Sequence, residues 1–309
     1  MLKEKLLKEL SAHRECYLSG QELAEQFGVS RGAVWKAVKA LEREGYAVEA
    51  GTNKGYRLSE NALCAFDLKL PDERTQVFYR NTIDSTNSEA KRLLAGGLSG
   101  NAFVVANEQS AGRGRCGRSF YSPKDSGLYF SYIFHPQKCL SDAVFITTAA
   151  AVSVVRAIEK TSEVKPLIKW VNDVYVGDKK ICGILTEAVS DFESGNLESV
   201  IVGIGINVST TEFPEDIGVA ASLGGAVSRP ALLQAVAEEL IKVSEDLQNA
   251  TILDDYRAHS LVLGKEITYS FNGEQERGKA VEINDAGALV VMTKQGLRTL
   301  SSGEISIRW

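Results

Sequence analysis

Three arginines set among three glycines in seven residues, Gly112-Arg113-Gly114-Arg115-Cys116-Gly117-Arg118, form the stretch of this chain best suited to chemistry. Arginine is always charged, and its planar fork of donors matches carboxylate and phosphate. Glycine lets the backbone take positive φ and approach a ligand closely. The stretch reads as a loop that orders around an anion. Its spacing is neither that of a phosphate loop ending in Gly-Lys-Ser/Thr nor that of a dinucleotide fingerprint. A solvated surface loop would have a similar composition, so the rest of the chain has to decide. Two further stretches bear on it. Lys180 precedes a buried-type run holding Gly183, and Val200–Val208 carries Gly203, Gly205 and Asn207. A glycine within a strand often marks close approach by a ligand. For Lys179 and Lys180 the plain alternative is a solvated hairpin tip.

The elements that must position these groups can be read from periodicity. Val77–Arg80 reads as a short strand, and Phe103–Ala106 as a buried one that delivers Glu108 and Gln109 into the arginine loop. Gly127–Phe134 is the strand beyond the loop, which puts the loop at a sheet rim. Asp84-Ser85-Thr86-Asn87-Ser88-Glu89 can cap a helix over Glu89–Leu94 or bind a polar ligand, and capping is the favoured reading. Ala143 to about Glu159 predicts a largely buried helix. Lys169–Val176 and Lys179–Glu187 read as two strands of a hairpin about Gly177-Asp178, and Pro230–His259 as helical. Short strands then follow at Glu266–Tyr269, Gly278–Ile283, Ala288–Met292 and Glu304–Arg308. Turns at Asn272-Gly273, Asp285-Ala286-Gly287 and Gln295-Gly296 separate them, a spacing that predicts a small β-barrel.

The first sixty or so residues differ in kind. Leu2, Leu6, Leu7 and Leu10 recur at helical spacing, and Ser19-Gly20-Gln21-Glu22 reads as a capping box that opens a second helix. Gly28-Val29-Ser30 supplies a turn, and Ser30 caps a third helix with Val34, Ala37, Val38 and Leu41 inward. This is helix-turn-helix spacing. The outward face carries Arg31, Trp35, Lys36 and Lys39, types that suit phosphate contact and base reading. A hairpin around Ala50–Gly55, with Lys54 near its tip, would be a wing. Ser59–Asp72 reads as a linker.

Composition sets limits on the whole. With 309 residues, 44% hydrophobic and 24% charged, the chain is long enough for two or three globular domains. A net charge of −5 excludes a general polycation, so any nucleic-acid contact needs a local patch. Residues Ser30–Leu58 supply one: Arg31, Lys36, Lys39, Arg43, Lys54 and Arg57 outnumber Glu42, Glu44 and Glu49. No apolar run is long enough for a membrane span, and the charged start lacks a signal-peptide core, so a cytoplasmic protein is expected. Five scattered cysteines (Cys16, Cys64, Cys116, Cys139, Cys182), none in a C-x-x-C pair, argue against a disulfide framework or a zinc site. Reduced thiols are expected, with Cys116 exposed.

Taken in order, Gln109 with Gly112–Arg118, Lys169-Trp170-x-Asn172-Asp173, Lys180-x-x-Gly183 and Gly203-x-Gly205-Ile206-Asn207 resemble the catalytic core of biotin protein ligases. With the helix-turn-helix in front, nearly the whole chain is similar to the bifunctional members, which are also repressors of the biotin operon. Phe120, Val171 and Cys116 depart from the residues usual in that family, tryptophan, proline and arginine respectively.

The resemblance implies an α+β protein: a winged helix-turn-helix over 1–60, a mixed α/β catalytic domain of class II synthetase-like type over 66–262, and an SH3-like β-barrel over 263–309. It implies biotin, ATP and Mg2+, a biotin carboxyl carrier protein as acceptor, operator DNA and a homodimer. Lys180 would bridge the biotin carboxylate and the α-phosphate, and Arg115, with Arg113 and Arg118, would hold phosphate. Ser85, Thr86 and Gln109 would bond biotin, and Trp170 would wall its apolar part. Asn87, Gly112, Gly114 and Gly183 complete the expected biotin site, and Asn172 and Asn207 the nucleotide site. Asp173 would steer or deprotonate the incoming lysine, or stand near magnesium; both stay open, and no metal ligand is named. Ser30, Arg31, Trp35, Lys36, Lys39 and Lys54 would meet DNA. The alternatives are a biotin-sensing repressor without ligase activity and a lipoate-type acyl ligase.

Overall fold

The computed structural model describes residues 1–309 except 72–73, 137–142, 191–196, 225–226, 248, 272–273, 302, 304 and 308–309. The expected Asn272-Gly273 turn, Cys139, Asp72 and the Glu304 and Arg308 ends of the last strand lie outside the described residues.

Leucines at helical spacing close the first unit. Helices α1 (Leu2–Ala12), α2 (Gly20–Phe27) and α3 (Arg31–Arg43) bury Leu6, Leu10, Leu23, Val34, Val38 and Leu41 together. The hairpin of β1 (Val48–Gly51) and β2 (Gly55–Leu58) adds Leu58. Between α2 and α3, Gly28 takes φ 63°, which glycine adopts without steric cost, and the Ser30 hydroxyl accepts from the Ala33 amide at 3.2 Å. The expected capping box of α2 reduces to a single cap: Ser19 accepts from the Gln21 amide, while Glu22 stays exposed. Ser30→Ala should cost about 1 kcal/mol of stability through the lost α3 cap. Thermal denaturation checks this, and an unshifted midpoint would mean that α3 does not depend on the cap.

Residues 59–71 are not a free tether, contrary to their polar start. Arg14 donates to the carbonyls of Ser59 and Ala62 and pairs with Asp67. Ala62 and Cys64 join the core of the first unit, and Leu63 and Leu68 that of the second. Four apolar residues just behind Asn61 bury, and the chain there follows them.

The second unit is a seven-stranded sheet. Strands β3 (Gln76–Ile83) and β4 (Ala102–Gln109) run parallel, joined by α4 (Thr86–Ala95). Strand β5 (Gly127–Phe134) follows the arginine loop. After helix α5 (Ala143–Thr161) come β6 (Leu167–Lys169), β7 (Asp173–Val176), β8 (Lys179–Ser190) and β9 (Leu197–Asn207), all antiparallel to their neighbours. The order across the sheet is β3-β4-β5-β9-β8-β7-β6. Alternate residues of each strand face opposite sides. Phe103 and Val105 therefore pack into the large core, with α5 and α6 (Arg229–Glu245), while Ala102 and Val104 join the smaller cluster around Ala90 of α4.

Three expectations change here. The run Lys169–Val176 is two strands, because Trp170–Asn172 forms a turn between β6 and β7. The helical region 230–259 divides into α6 and α7 (Ala250–Ala258), where Asn249 caps the new start. Helix α4 begins at Thr86 rather than Glu89, and the Ser85 hydroxyl makes no capping bond.

The last unit is an antiparallel sheet of β10 (Glu266–Phe271), β11 (Glu274–Ile283), β12 (Leu289–Thr293), β13 (Gly296–Leu300) and β14 (Ile305–Ile307), in the order β13-β12-β11-β10-β14. Strand β13 was not expected, since Leu300 is its one buried residue and the alternation is weak. Ile267, Ala280, Leu289 and Ile305 continue the large core, so this sheet is packed onto the second unit. Among the described residues no helix is long and apolar enough to cross a membrane.

Candidate functional site

A cavity of about 260 Å3 opens at the rim of the seven-stranded sheet, where the β4–β5 loop, the start of α4, the β6–β7 turn, β8 and β9 converge. Of the residues expected from sequence, it brings together Ser85, Thr86, Asn87, Gln109, Arg113, Gly114, Arg115, Arg118, Trp170, Asn172, Asp173, Lys180 and Gly183.

The arginine loop is a closed turn rather than a slack one. The Gly114 amide donates to the Arg118 carbonyl at 2.7 Å, and the Phe120 amide to the Gly112 carbonyl at 2.8 Å. The chain reverses at Cys116 and Gly117, both left-handed, with φ 53° and 75°. Cys116 is exposed there, as expected; Cys16, Cys64 and Cys182 are also free, and burial pushes the Cys64 thiol up to about 12. Arg115 pins the loop across the cavity, its Nη1 donating to Asn172 Oδ1 at 2.9 Å. Asn172 is held in turn, donating to the Ile184 carbonyl at 3.0 Å.

The start of α4 forms another wall. Its first amide, that of Thr86, donates to Gln109 Oε1 at 2.8 Å, so Gln109 supplies the cap that Ser85 does not. The other end of the Gln109 carboxamide donates to Ser122 Oγ at 2.8 Å. Gln109 thus orients the wall as well as lining it. Asn87 is fixed from two sides: Ser131 Oγ lies 2.7 Å from its Oδ1, and its Nδ2 donates to Glu187 Oε2 at 2.8 Å. Burial pushes the Glu187 carboxyl up, but the bonds from Lys91 and Asn87 outweigh it and hold the group below its ordinary range.

Lys180 is the second residue of β8 and is held by its backbone, its amide donating to the Val219 carbonyl at 2.7 Å and its carbonyl accepting from the Ala221 amide at 2.9 Å. Its Nζ stands 2.7 Å from Asp173 Oδ1, and both side chains are partly buried. Among the described residues the wall carries Arg113, Arg115, Arg118, Lys169 and Lys180, together with the Asp173 carboxylate. Such a surplus of fixed cations in a partly enclosed site favours a ligand with more than one negative charge.

Two of the expected residues lie outside the cavity wall, and a third is crowded within it. Asn207 is not in the wall; its Nδ2 donates to the Ala221 carbonyl at 3.1 Å and holds the segment that follows β9. Gly112 lies at the base of the loop, where a Cβ would strike the Phe120 carbonyl. Gly183 does line the cavity, but the space beside it holds the Phe120 ring and the Lys180 chain, each about 3.2 Å from where a Cβ would stand. Gly205 makes room for the same ring, and Gly203 for the Asn87 carboxamide.

Residues not assigned from sequence complete the wall: Ser119, Phe120, Lys169, Ile184, Leu185, Gly203, Ile204 and Gly205, with Gly303, Ile305 and Ser306 from the last sheet. The glycines of β9 had already marked a close approach without saying of what. The three from the last sheet had no local signal. Trp170 is anchored to that sheet as well, its Nε1 donating to the Gly287 carbonyl at 3.0 Å.

At the other end of the chain, Arg31, Trp35 and Lys36 stand exposed on α3, Trp35 at 51%. Lys39 pairs with Glu42, Lys54 lies 5.9 Å above the Tyr17 ring, and the Ser30 hydroxyl is committed to its cap.

Comparison with known proteins agrees with this layout. Residues 79–207 match the biotin/lipoate A/B protein ligase family, 3–57 a helix-turn-helix domain, and 262–308 the biotin protein ligase C-terminal domain. The bifunctional ligase/repressor BirA of Bacillus spizizenii is 33% identical over 99% of this chain and 98% of its own. The biotin–[acetyl-CoA-carboxylase] ligase of Paracoccus denitrificans is 30% identical over 72% of this chain and 96% of its own. The Aquifex aeolicus biotin protein ligase, solved in complex with biotin and ATP, superposes with a TM-score of 0.65 at 30% identity, over 75% of this chain and 98% of its own. A chain with this cationic cavity, this C-terminal sheet and a helix-turn-helix in front belongs to the biotin protein ligase family, in its bifunctional ligase/repressor branch.

Proposed function

We propose that this chain activates biotin with ATP to biotinyl-5′-adenylate, transfers biotin to a lysine of a biotin carboxyl carrier protein, and in the adenylate-bound dimeric form represses the biotin operon. The observation that carries the catalytic part is the cluster of five described cations, Lys180 among them, gathered with Asp173 in one cavity. In the first step a biotin carboxylate oxygen attacks the α-phosphorus and pyrophosphate leaves. Both partners are anions, and their approach in a low-dielectric site is costly unless cations stand preorganised between them. Lys180, a compact ammonium fixed through its backbone, is suited to that place. Arg115 holds phosphate from the loop, with Arg113 and Arg118 beside it.

In the second step the carrier lysine, as a neutral amine, attacks the acyl carbon and AMP leaves. Among the described residues of the wall, Asp173 is the carboxylate placed to steer that amine or take its proton. The mixed anhydride hydrolyses in water, so the closed turn over the cavity, pinned by Arg115 to Asn172, acts as its cover. Mg2+ would arrive with ATP and neutralise phosphate charge. Asp173 alone fits a metal held mainly by phosphate oxygens and water, and no group of three or more acidic, histidine or cysteine side chains occurs among the described residues.

The domains of this reading are a winged helix-turn-helix over 1–60, a class II synthetase-like catalytic domain over 66–262 and an SH3-like barrel over 263–309. A helix with Arg31, Trp35 and Lys36 exposed supports DNA contact, with the β1–β2 hairpin as wing. Weak phosphate contacts per monomer favour a dimer on operator DNA. A cytoplasmic location belongs to the same reading, supported by the free thiols at Cys16, Cys64, Cys116 and Cys182. The test is to mix the protein with biotin, MgATP and a carrier domain and follow the carrier by mass spectrometry. A biotin-sized gain is expected. A carrier that stays unmodified would leave a sensor without ligase activity, and a gain with lipoate instead would identify a lipoate ligase.

A further inference from the structure

Arg229, at the start of α6, is 1% exposed although the nearest carboxylate, that of Asp125, is 4.0 Å away. A buried guanidinium is costly unless its donors are matched. Here they are matched three ways: Nε donates to the Gly127 carbonyl at 2.8 Å, Nη1 to the Asn61 carbonyl at 3.0 Å and Nη2 to Asn107 Oδ1 at 2.7 Å. The Arg229 amide also donates to Asn61 Oδ1, at 3.2 Å.

These partners belong to different parts of the molecule. Asn61 lies in the segment that follows the helix-turn-helix unit. Gly127 begins β5 and Asn107 stands two residues before Gln109 on β4, so both lie on the strands between which the arginine loop is strung. Asn107 also donates to Asp125 Oδ1 at 2.7 Å and to Asn81 Oδ1 at 3.3 Å. The Asn81 carboxamide fills the space against Gly45, two residues past α3, where no Cβ would fit. Beside it the Tyr46 and Tyr79 rings stack with centroids 5.6 Å apart.

We infer that Arg229 is a positioning residue that ties the shape of the ligand cavity to the seating of the helix-turn-helix unit, through Asn107 on one side and Asn61 on the other. A ligand that engages the loop arginines bears on the ends of β4 and β5, where the loop is rooted, and the three-way fork links those ends to the 59–71 segment and, through Asn107 and Asn81, to the end of α3. An apolar side chain there would leave the Gly127 and Asn61 carbonyls and Asn107 Oδ1 without their donor. The fork adds fixed geometry between three segments. The inference rests on the proposed binding of biotin and ATP in this cavity.

Hydrogen exchange read by mass spectrometry on the full chain, with and without biotin and MgATP, tests it. In the wild-type protein exchange in both the arginine loop and the 59–71 segment should slow, the latter by roughly fivefold or more, the lower range of allosteric coupling. In Arg229→Lys the loop should slow as before, while the 59–71 response should shrink below about twofold. A response of wild-type size in Arg229→Lys would overturn the inference, as would a wild-type segment that ignores the ligands while the loop responds. A variant loop that no longer responds would make Arg229 a mere support of the cavity, which also overturns it. If the wild-type loop itself does not slow, the binding reading has failed, and the inference falls with it. Should Arg229→Lys lack a cooperative melt, Asn107→Ser takes its place under the same outcomes.

Discussion

Lys180→Ala is expected to slow adenylate formation by about 10²–10³-fold, the usual loss when one preorganised charge-stabilising group is removed from an active site. The loss is specific to chemistry because Lys180 is held in β8 by backbone bonds to Val219 and Ala221, which alanine keeps. What alanine cannot keep is the ammonium 2.7 Å from Asp173. Without it, in the proposed arrangement, the biotin carboxylate and the α-phosphate would approach each other beside Asp173 with one cation fewer between them. Lys180→Arg should rescue little, since the guanidinium is planar and longer where a compact charge is needed. Pyrophosphate release at saturating biotin and ATP measures the step, with a melting curve as the folding control. An unchanged rate in a folded Lys180→Ala protein would remove Lys180 from the mechanism.

Gly203→Ala is expected to cost about 1–3 kcal/mol of stability, the range for overpacking a filled interior. Biotin affinity should fall about tenfold for every 1.4 kcal/mol of that cost borne by the bound state. The added Cβ would lie well inside 3.0 Å of the Asn87 carboxamide. Asn87 has nowhere to go: it is 3% exposed and clamped between Ser131 and Glu187. Moving it would deform the start of α4, which is a wall of the cavity. Gly32→Ala, where the nearest atom to a new Cβ is 3.8 Å away, is the control that should bind biotin normally. Calorimetric titration with biotin reads the affinity. Equal affinity for Gly203→Ala and the control would mean that Asn87 does not shape the biotin site.

Much of the molecule is legible in the chain wherever the relevant physics is local. The helix-turn-helix follows from leucine spacing, the Gly28 turn and the Ser30 cap, all within a few residues of one another. The arginine loop was legible as a candidate anion site, because guanidinium and glycine suit one, although residue types alone did not separate it from a solvated loop. Strands β5 and β9 are long apolar runs. The glycines of β9 marked a close approach, though the chain alone did not say of what. Lys180, Asp173 and Asn172 came with short motifs whose members are neighbours in sequence.

Only the tertiary structure decided what meets across distance. Gln109 caps a helix that begins at Thr86, a pairing set by the parallel register of β3 and β4. The Phe120 ring lies against Gly183 and Gly205 because β8 and β9 pair in that register. Gly303, Ile305 and Ser306 enter the wall, and Gly287 receives Trp170, because the last sheet continues the central core. The polar stretch after Leu58 gave no hint that Arg229, far along the chain, would clamp Asn61. Periodicity, caps and turn chemistry depend on neighbours within about one or two turns of chain, so a sequence displays them. Contacts between distant segments depend on which apolar faces pack together and on burying no polar group unmatched, and those conditions exist only once the whole chain has folded.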